Sequence, residues 1–195
     1  MFNGIIYNTG KVKKISKNKN SIYIGIKTNL KFKKKDIGSS VSCNGVCLTL
    51  TKIIDNLIFF YISKETLFRS NLKYINVEEL VNLEKSIIFG QKISGNFVQG
   101  HIDTTATVSK IKILDKTWLV KFRLNNKKLS KYLVEKASIS INGVSLTISN
   151  TNKNFFEISI IPHTLKLTNL TNLNKNSLVN VELDIFCKYL IKIIN

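Results

Sequence analysis

Apolar residues gather in short runs along the chain. Ile22–Ile26, Leu57–Ile62, Thr117–Phe122 and Phe155–Ile160 are rich in β-branched and aromatic residues and bounded by polar turn formers, which predicts strands. Val41–Leu50 and Ile139–Ile148 alternate apolar and polar positions around an Asn-Gly pair, the strongest short-range signal for a hairpin. Helical spacing is rarer. It predicts one helix in each half, over Lys64–Arg69 and Lys127–Lys136, and an amphipathic tail over Phe186–Ile194. In the tail, Cys187, Leu190, Ile191 and Ile194 share one face, and Lys188 and Lys192 lie on another, in water. Such a helix is marginal alone and needs partner contact. Short strands at regular spacing imply an all-β chain of small antiparallel barrels, a closure that removes exposed edges.

The pattern repeats. Residues 43–50 read CNGVCLTL and residues 141–148 read INGVSLTI, sharing the phrase Asn-Gly-Val-x-Leu-Thr. The offset of 98 persists downstream: Thr66-Leu67 recurs as Thr164-Leu165, Asn71-Leu72 as Asn169-Leu170, and Val81-Asn82-Leu83-Glu84 as Val179-Asn180-Val181-Glu182. Upstream, Gly4-Ile5-Ile6 resembles Gly100-His101-Ile102 at a slightly shorter offset. A register held without a gap over this length indicates duplication. The expected organisation is an N-terminal barrel over 1–88, a C-terminal barrel over 89–185 and a helix over 186–195.

Composition narrows the class. Of 195 residues, 44% are hydrophobic, enough for a buried core, and a single proline argues against linkers. Three cysteines and two histidines, without ligand spacing, do not assemble a zinc set. Free thiols, no leader-like start and no apolar run long enough to span a bilayer predict a soluble cytoplasmic protein without membrane partners. The net charge of +18 would suit nucleic acid. It is built almost wholly of dispersed lysine, with only Arg69 and Arg123 as arginines, and it reads as a solvated surface.

The repeated loops hold small polar groups and glycines: Gly4, Gly100, Cys47 or Ser145, and Thr49 or Thr147. Such a set can hold the edge of a flat heterocycle against apolar walls. Each feature also has a structural reading. Asn-Gly is commonly just a turn, and Cys47 is compatible with a small core residue or a nucleophile. His101, between Gly100 and Ile102, suits proton transfer near neutral pH. His163, after Pro162 in an expected loop, is compatible with a solvent-facing side chain.

MFNGII, CNGVCLTL, SKETL, SGNFVQGHIDTTA, SINGVSLTI, IIPHTLKLTNL and VNVELD together resemble the α-type riboflavin synthase family across nearly the whole chain. The resemblance implies two six-stranded antiparallel Greek-key barrels with a C-terminal helix. It implies a homotrimer whose active sites lie between the N-terminal barrel of one subunit and the C-terminal barrel of the next. The implied reaction is a dismutation of two 6,7-dimethyl-8-ribityllumazine molecules, one per barrel. It yields riboflavin and 5-amino-6-(D-ribitylamino)uracil by four-carbon transfer, without cofactor or metal. Carried over residue by residue, the N-terminal pocket is Gly4, Ile5, Ile6, Cys47, Leu48, Thr49, Tyr61, Ile62, Ser63, Lys64, Glu65 and Thr66. The C-terminal pocket is Gly100, His101, Ile102, Lys136, Ser145, Leu146, Thr147, Ser159, Ile160, Ile161, Pro162, His163 and Thr164. Cys47, His101, Ser145 and Asp184 are the expected participants in the chemistry. Two positions depart from the family phrase Gly-Gly-His: Ser94 replaces its first glycine and Asn96 its histidine. A lumazine- or flavin-binding protein of the same fold without synthase activity is the alternative. The polar sets kept in both halves favour the enzyme.

Overall fold

The computed structural model describes residues 1–194, with side chains through Ile193. Six strands, β1 (Asn8–Asn18), β2 (Ser21–Thr28), β3 (Ser40–Cys43), β4 (Val46–Ile54), β5 (Leu57–Ser63) and β6 (Leu80–Lys85), close into one antiparallel barrel in the order β1-β2-β5-β4-β3-β6. Strands β7 (Thr104–Leu114), β8 (Thr117–Leu124), β9 (Ser138–Ile141), β10 (Val144–Asn152), β11 (Phe155–Ile160) and β12 (Leu178–Leu183) repeat that Greek-key order in a second barrel. Even the bulges recur, at Val12/Lys14 and Leu50/Lys52 in one barrel and Val108/Lys110 and Ile148/Asn150 in the other. Each barrel is filled by its own alternating inward residues, among them Ile24, Leu50 and Phe60 in the first and Phe122, Phe156 and Ile158 in the second. Burying each such side chain contributes about 1.5–3 kcal/mol.

Short helices close the barrel ends. Helix α1 (Lys64–Arg69) lies where it is expected, and the Ser63 hydroxyl accepts the Thr66 N–H to cap it. Its counterpart is α2 (Pro162–Leu167), not the expected Lys127–Lys136. Proline at the first helical position has the right φ and lacks only an N–H that would have no helical partner, so His163 sits in a helix rather than a loop. Lys127–Tyr132 instead forms a 3-10 turn, begun by the Asn126 side chain accepting from Lys128 N–H. The chain cannot continue helically because it must turn into β9, and Lys136 adopts φ +66°.

The tail forms α3 (Ile185–Ile194), but its rotation differs from expectation. Asp184 Oδ1 accepts the N–H groups of Phe186 and Cys187 at 2.8 and 3.4 Å. In the helix so capped, Lys188 is turned inward to Asp103, at 3.0 Å, rather than toward water. The exposed apolar stripe is therefore Phe186, Tyr189, Leu190 and Ile193, while Cys187 and Ile191 are half-buried. The side chain of Ile194, expected on the apolar face, lies outside the described residues.

The two barrels meet at the duplicated phrase. Asn44-Gly45 and Asn142-Gly143 have positive φ at both residues, the geometry of a type I′ hairpin turn. The turns pack back to back. A Cβ on Gly45 would stand 2.6 Å from Gly143 N, and one on Gly143 2.8 Å from Gly45 N. Around them the asparagines exchange hydrogen bonds in matching pairs. Asn82 donates to Asn142 O at 2.9 Å and accepts from Asn169 N at 2.8 Å; Asn180 donates to Asn44 O at 2.8 Å and accepts from Asn71 N at 2.7 Å. Asn82 and Asn180 are fully buried, so their amides have no water to fall back on.

Asn180→Ala would leave the Asn44 carbonyl and the Asn71 N–H without these partners. An unpaired buried group costs roughly 1–3 kcal/mol, so the substitution should destabilise the protein by about 2–5 kcal/mol. Urea unfolding followed by Trp118 fluorescence reads this; a loss below about 1 kcal/mol would contradict the role assigned to the network.

Candidate functional site

Two segments cross between the barrels. Residues 1–7 precede β1 and residues 96–103 precede β7, and they pair through Phe2 and Val98. Each reaches the barrel it does not precede. Ser145 N–H donates to Gly4 O at 2.8 Å, and Cys47 N–H donates to Gly100 O at 2.9 Å. Ile6 is buried in the core of the second barrel and Ile102 in that of the first. The pockets carried over from the resemblance place Gly4–Ile6 with Cys47 and Gly100–Ile102 with Ser145; the contacts within the chain pair them the other way. Gly4, Ile5 and Ile6 belong with Ser145, and Gly100, His101 and Ile102 belong with Cys47. The repeats have exchanged their leading segments, which chain order cannot reveal.

Gly4 and Gly100 have φ +71° and +80°, and a Cβ would stand 2.7 Å from Ser145 Cβ and 2.6 Å from Cys47 Cβ. Only glycine lets the loop lie on the strand so closely. A carboxylate clamps each segment from behind. Glu84 accepts the N–H groups of Asn3 and Gly4 at 2.8 and 3.0 Å. Glu182 accepts those of Gln99 and Gly100 at 2.7 and 2.9 Å. Both were visible beforehand only as members of the repeated Val-Asn-x-Glu phrase.

A cleft of about 530 Å³ opens over the first barrel beside Cys47, with Gly100, His101, Ile102 and Asp103 on one wall and Glu65, Thr66, Arg69 and Ser70 of the α1 region on another. Asn126 and Leu129 of the second barrel's 3-10 turn complete it. Arg69, Ser70, Asn126 and Leu129 carried no motif signal, and Asp103 carried one only as part of SGNFVQGHIDTTA. Cys47 and His101 therefore share one cleft. Of the other two expected participants, Ser145 holds the equivalent place at the second barrel, and Asp184 caps α3 while accepting from the Asn96 side chain at 3.3 Å.

The remaining expected residues fall into two kinds. Leu48, Ile62 and Ile160 are buried in the barrel cores, so they can offer a ligand only backbone. Thr49, Tyr61, Lys64, Glu65, Lys136, Thr147, Ser159, Ile161, Pro162 and His163 are exposed, and Ser63, Thr66, Leu146 and Thr164 are half-buried. Burial pushes the Cys43 thiol up to about 12; among these neighbours Cys47 is the thiol that meets the cleft. No group of metal-ligating side chains occurs among the described residues.

This doubled arrangement has known counterparts. The lumazine binding domain model matches twice, over residues 3–86 and 99–184. Riboflavin synthase of Buchnera aphidicola subsp. Schizaphis graminum is 37% identical over 98% of this chain and 92% of its own length. Those of Escherichia coli and Bacillus subtilis are 35% and 33% identical, over 94% and 100% of this chain and 87% and 90% of theirs. The chain belongs to the riboflavin synthase family. Its fold is also that of LumP in complexes with 6,7-dimethyl-8-(1'-D-ribityl) lumazine and with riboflavin, at TM-scores of 0.81 and 0.83 and 30% identity. These matches cover 93% and 94% of this chain and 98% and 99% of LumP.

For this riboflavin synthase family chain the clamps have a pH signature. Burial raises the Glu84 carboxyl to about 7, against the pull of the N–H groups it accepts, and raises Glu182 in the same direction. An acid whose folded pKa lies above its unfolded value of ~4.3 stabilises the fold at low pH. That contribution is lost as pH rises through the folded value. The urea midpoint should therefore fall between pH 5 and 8, and Glu84→Gln should flatten the slope. A midpoint that rises over this range, or a slope unchanged in the variant, would contradict the assignment.

Proposed function

We propose that this protein is a riboflavin synthase, which takes two molecules of 6,7-dimethyl-8-ribityllumazine and returns riboflavin and 5-amino-6-(D-ribitylamino)uracil. The observation that carries this is the doubled site. Each barrel presents a small Sγ- or Oγ-bearing residue, Cys47 or Ser145, whose backbone N–H is bonded to a close-lying glycine of a crossing segment. One such site would suffice for a binding protein. A reaction between two copies of one substrate needs two.

The chemistry asks for little beyond positioning. The two products contain every atom of the two substrates, so no outside oxidant or reductant is required. A proton leaves the 7-methyl group of one lumazine, and its anion is delocalised over the ring. Four carbons then pass from one lumazine to the other. Holding two reactants face to face supplies much of the acceleration, because oriented pairs reach effective concentrations of about 10⁵–10⁸ M. Cys47 and His101 stand at the N-terminal site, and Ser145 with the Gly4–Ile6 segment at the C-terminal one. Asp184, held beside Asn96, completes the set of candidate polar groups. The heterocycle binds through backbone and small polar groups of Gly4–Ile6, Cys47–Thr49, Tyr61–Thr66, Gly100–Ile102, Lys136, Ser145–Thr147 and Ser159–Thr164.

The two lumazines that react come from different subunits of a homotrimer. The support is the stripe of Phe186, Tyr189, Leu190 and Ile193 on α3, each more than half exposed, continued by an edge-to-face contact between Phe97 and Phe186. Contiguous apolar side chains left in water mark an interaction surface. The working compartment is the cytoplasm, in keeping with three free cysteines. No described helix is long and apolar enough to cross a membrane.

Purified protein given dimethylribityllumazine and a chelator should produce flavin fluorescence with two lumazines consumed per riboflavin. Activity per chain should fall on dilution as the subunits part. Saturable lumazine binding without any flavin would instead support the non-catalytic binding protein, and activity per chain independent of dilution would contradict the shared site.

A further inference from the structure

We propose that Glu84 and Glu182 are positioning residues that act crosswise, each one shaping the ligand site of the barrel to which it does not belong. The inference rests on the reading above, that both pockets hold a lumazine-type heterocycle.

Glu182 lies on β12 of the second barrel and is 3% exposed. Its two oxygens take the consecutive N–H groups of Gln99 and Gly100. The other side of the same peptide stretch is bonded to the first barrel, through Gly100 O and Cys47 N. The next residue is His101, which lines the Cys47 cleft. Glu84 repeats every step in mirror order. It lies on β6 of the first barrel, takes the N–H groups of Asn3 and Gly4, and Gly4 O accepts from Ser145 N of the second barrel.

Two properties of this linkage separate it from ordinary packing. A carboxylate is the only side chain that can accept two neighbouring N–H groups with two equivalent oxygens, and such charge-assisted bonds are stronger than neutral ones. Glutamine keeps the volume but turns an NH₂ toward one of the donors. The glycine also lies so close to the strand that the loop has little slack, since a Cβ there would stand only 2.6 or 2.7 Å from the strand's own side chain. Releasing one N–H therefore shifts the loop that carries His101, or the one that carries Ile5, within the limits set by its own core anchor, Ile102 or Ile6. Each site is thereby built from parts of both barrels even within one chain.

The test uses the full-length protein at pH 8.5, above the value of about 7 to which burial raises Glu84, and riboflavin as the probe. Amide NMR shifts of Cys47 and His101 report the N-terminal site, and those of Ser145 and Ile5 the C-terminal one. Glu182→Gln should weaken riboflavin binding at the Cys47 site about tenfold, the loss of one charge-assisted hydrogen bond, and change the Ser145 site less than twofold. Glu84→Gln should do the converse. In ligand-free protein, hydrogen exchange should quicken at Cys47 in the first variant and at Ser145 in the second. Should Glu182→Gln fail to fold, the more accessible Glu84→Gln carries the same test. Loss at the variant's own barrel, equal loss at both sites or no loss at either would overturn the crosswise role. Unsubstituted protein that binds riboflavin at neither site would overturn the functional reading itself, and this inference with it.

Discussion

Everything in this molecule depends on two Asn-Gly turns that touch back to back. A turn with two positive φ values and no side chain on its second residue offers a flat, polar backbone surface. Pressed against a copy of itself, that surface must find hydrogen bonds in the absence of water. The asparagines of β6 and β12 provide them, Asn82 to one turn and Asn180 to the other. Because the bonds of Asn82 to Asn142 and Asn169 are matched by those of Asn180 to Asn44 and Asn71, the barrels are related by an approximate twofold axis through the turns. That axis determines where the crossing segments run, and the crossing segments complete both sites. The Cys47 and Ser145 ends of the same two phrases are bonded to the crossing segments, so a single repeated stretch of eight residues joins the barrels at one end and anchors the candidate sites at the other.

The barrels were legible in the sequence where strands are inward-alternating and bounded by turns. Ile22–Ile26 and Phe155–Ile160 lie within observed strands, and the two Asn-Gly pairs are the turns joining β3 to β4 and β9 to β10. Strands β1 and β7 were not, because their distal halves run as solvent-exposed ribbons. Lys17, Lys110 and Lys112 are exposed in these distal halves, which show no steady run of buried apolar residues. The misplaced helix has a similar cause. Lys127–Lys136 has helix-forming residues, but Asn126 and the positive φ of Lys136 confine it to a short turn, whereas Pro162, usually a breaker, begins a helix.

The candidate site residues stood out in the sequence, but which of them the fold brings together did not. Cys47, Ser145, Gly4 and Gly100 are marked by the repeat, yet nothing in a linear pattern says that leading segments change barrels. Glu84 and Glu182 show how such a feature could be noticed. A glutamate at the end of a strand otherwise filled by Val, Asn and Leu is costly to bury unless hydrogen-bond donors face it, and its recurrence in both halves points to an equivalent partner in each. The tail errs for a different reason. Spacing alone defined several possible apolar faces, and the pairing of Lys188 with Asp103 selected one.

A pair of barrels related in this way carries two sets of the same polar groups, and in the proposed function each set holds one copy of the same heterocycle. The most direct measurement is the number of riboflavin molecules bound per chain at saturation, by calorimetry on protein of known active concentration. The account predicts two, with unequal affinities, since Cys47 stands opposite Ser145 and Lys64-Glu65 opposite Pro162-His163 in the equivalent positions. A stoichiometry of one would show that a single barrel is the binding unit and that the other serves only as its scaffold.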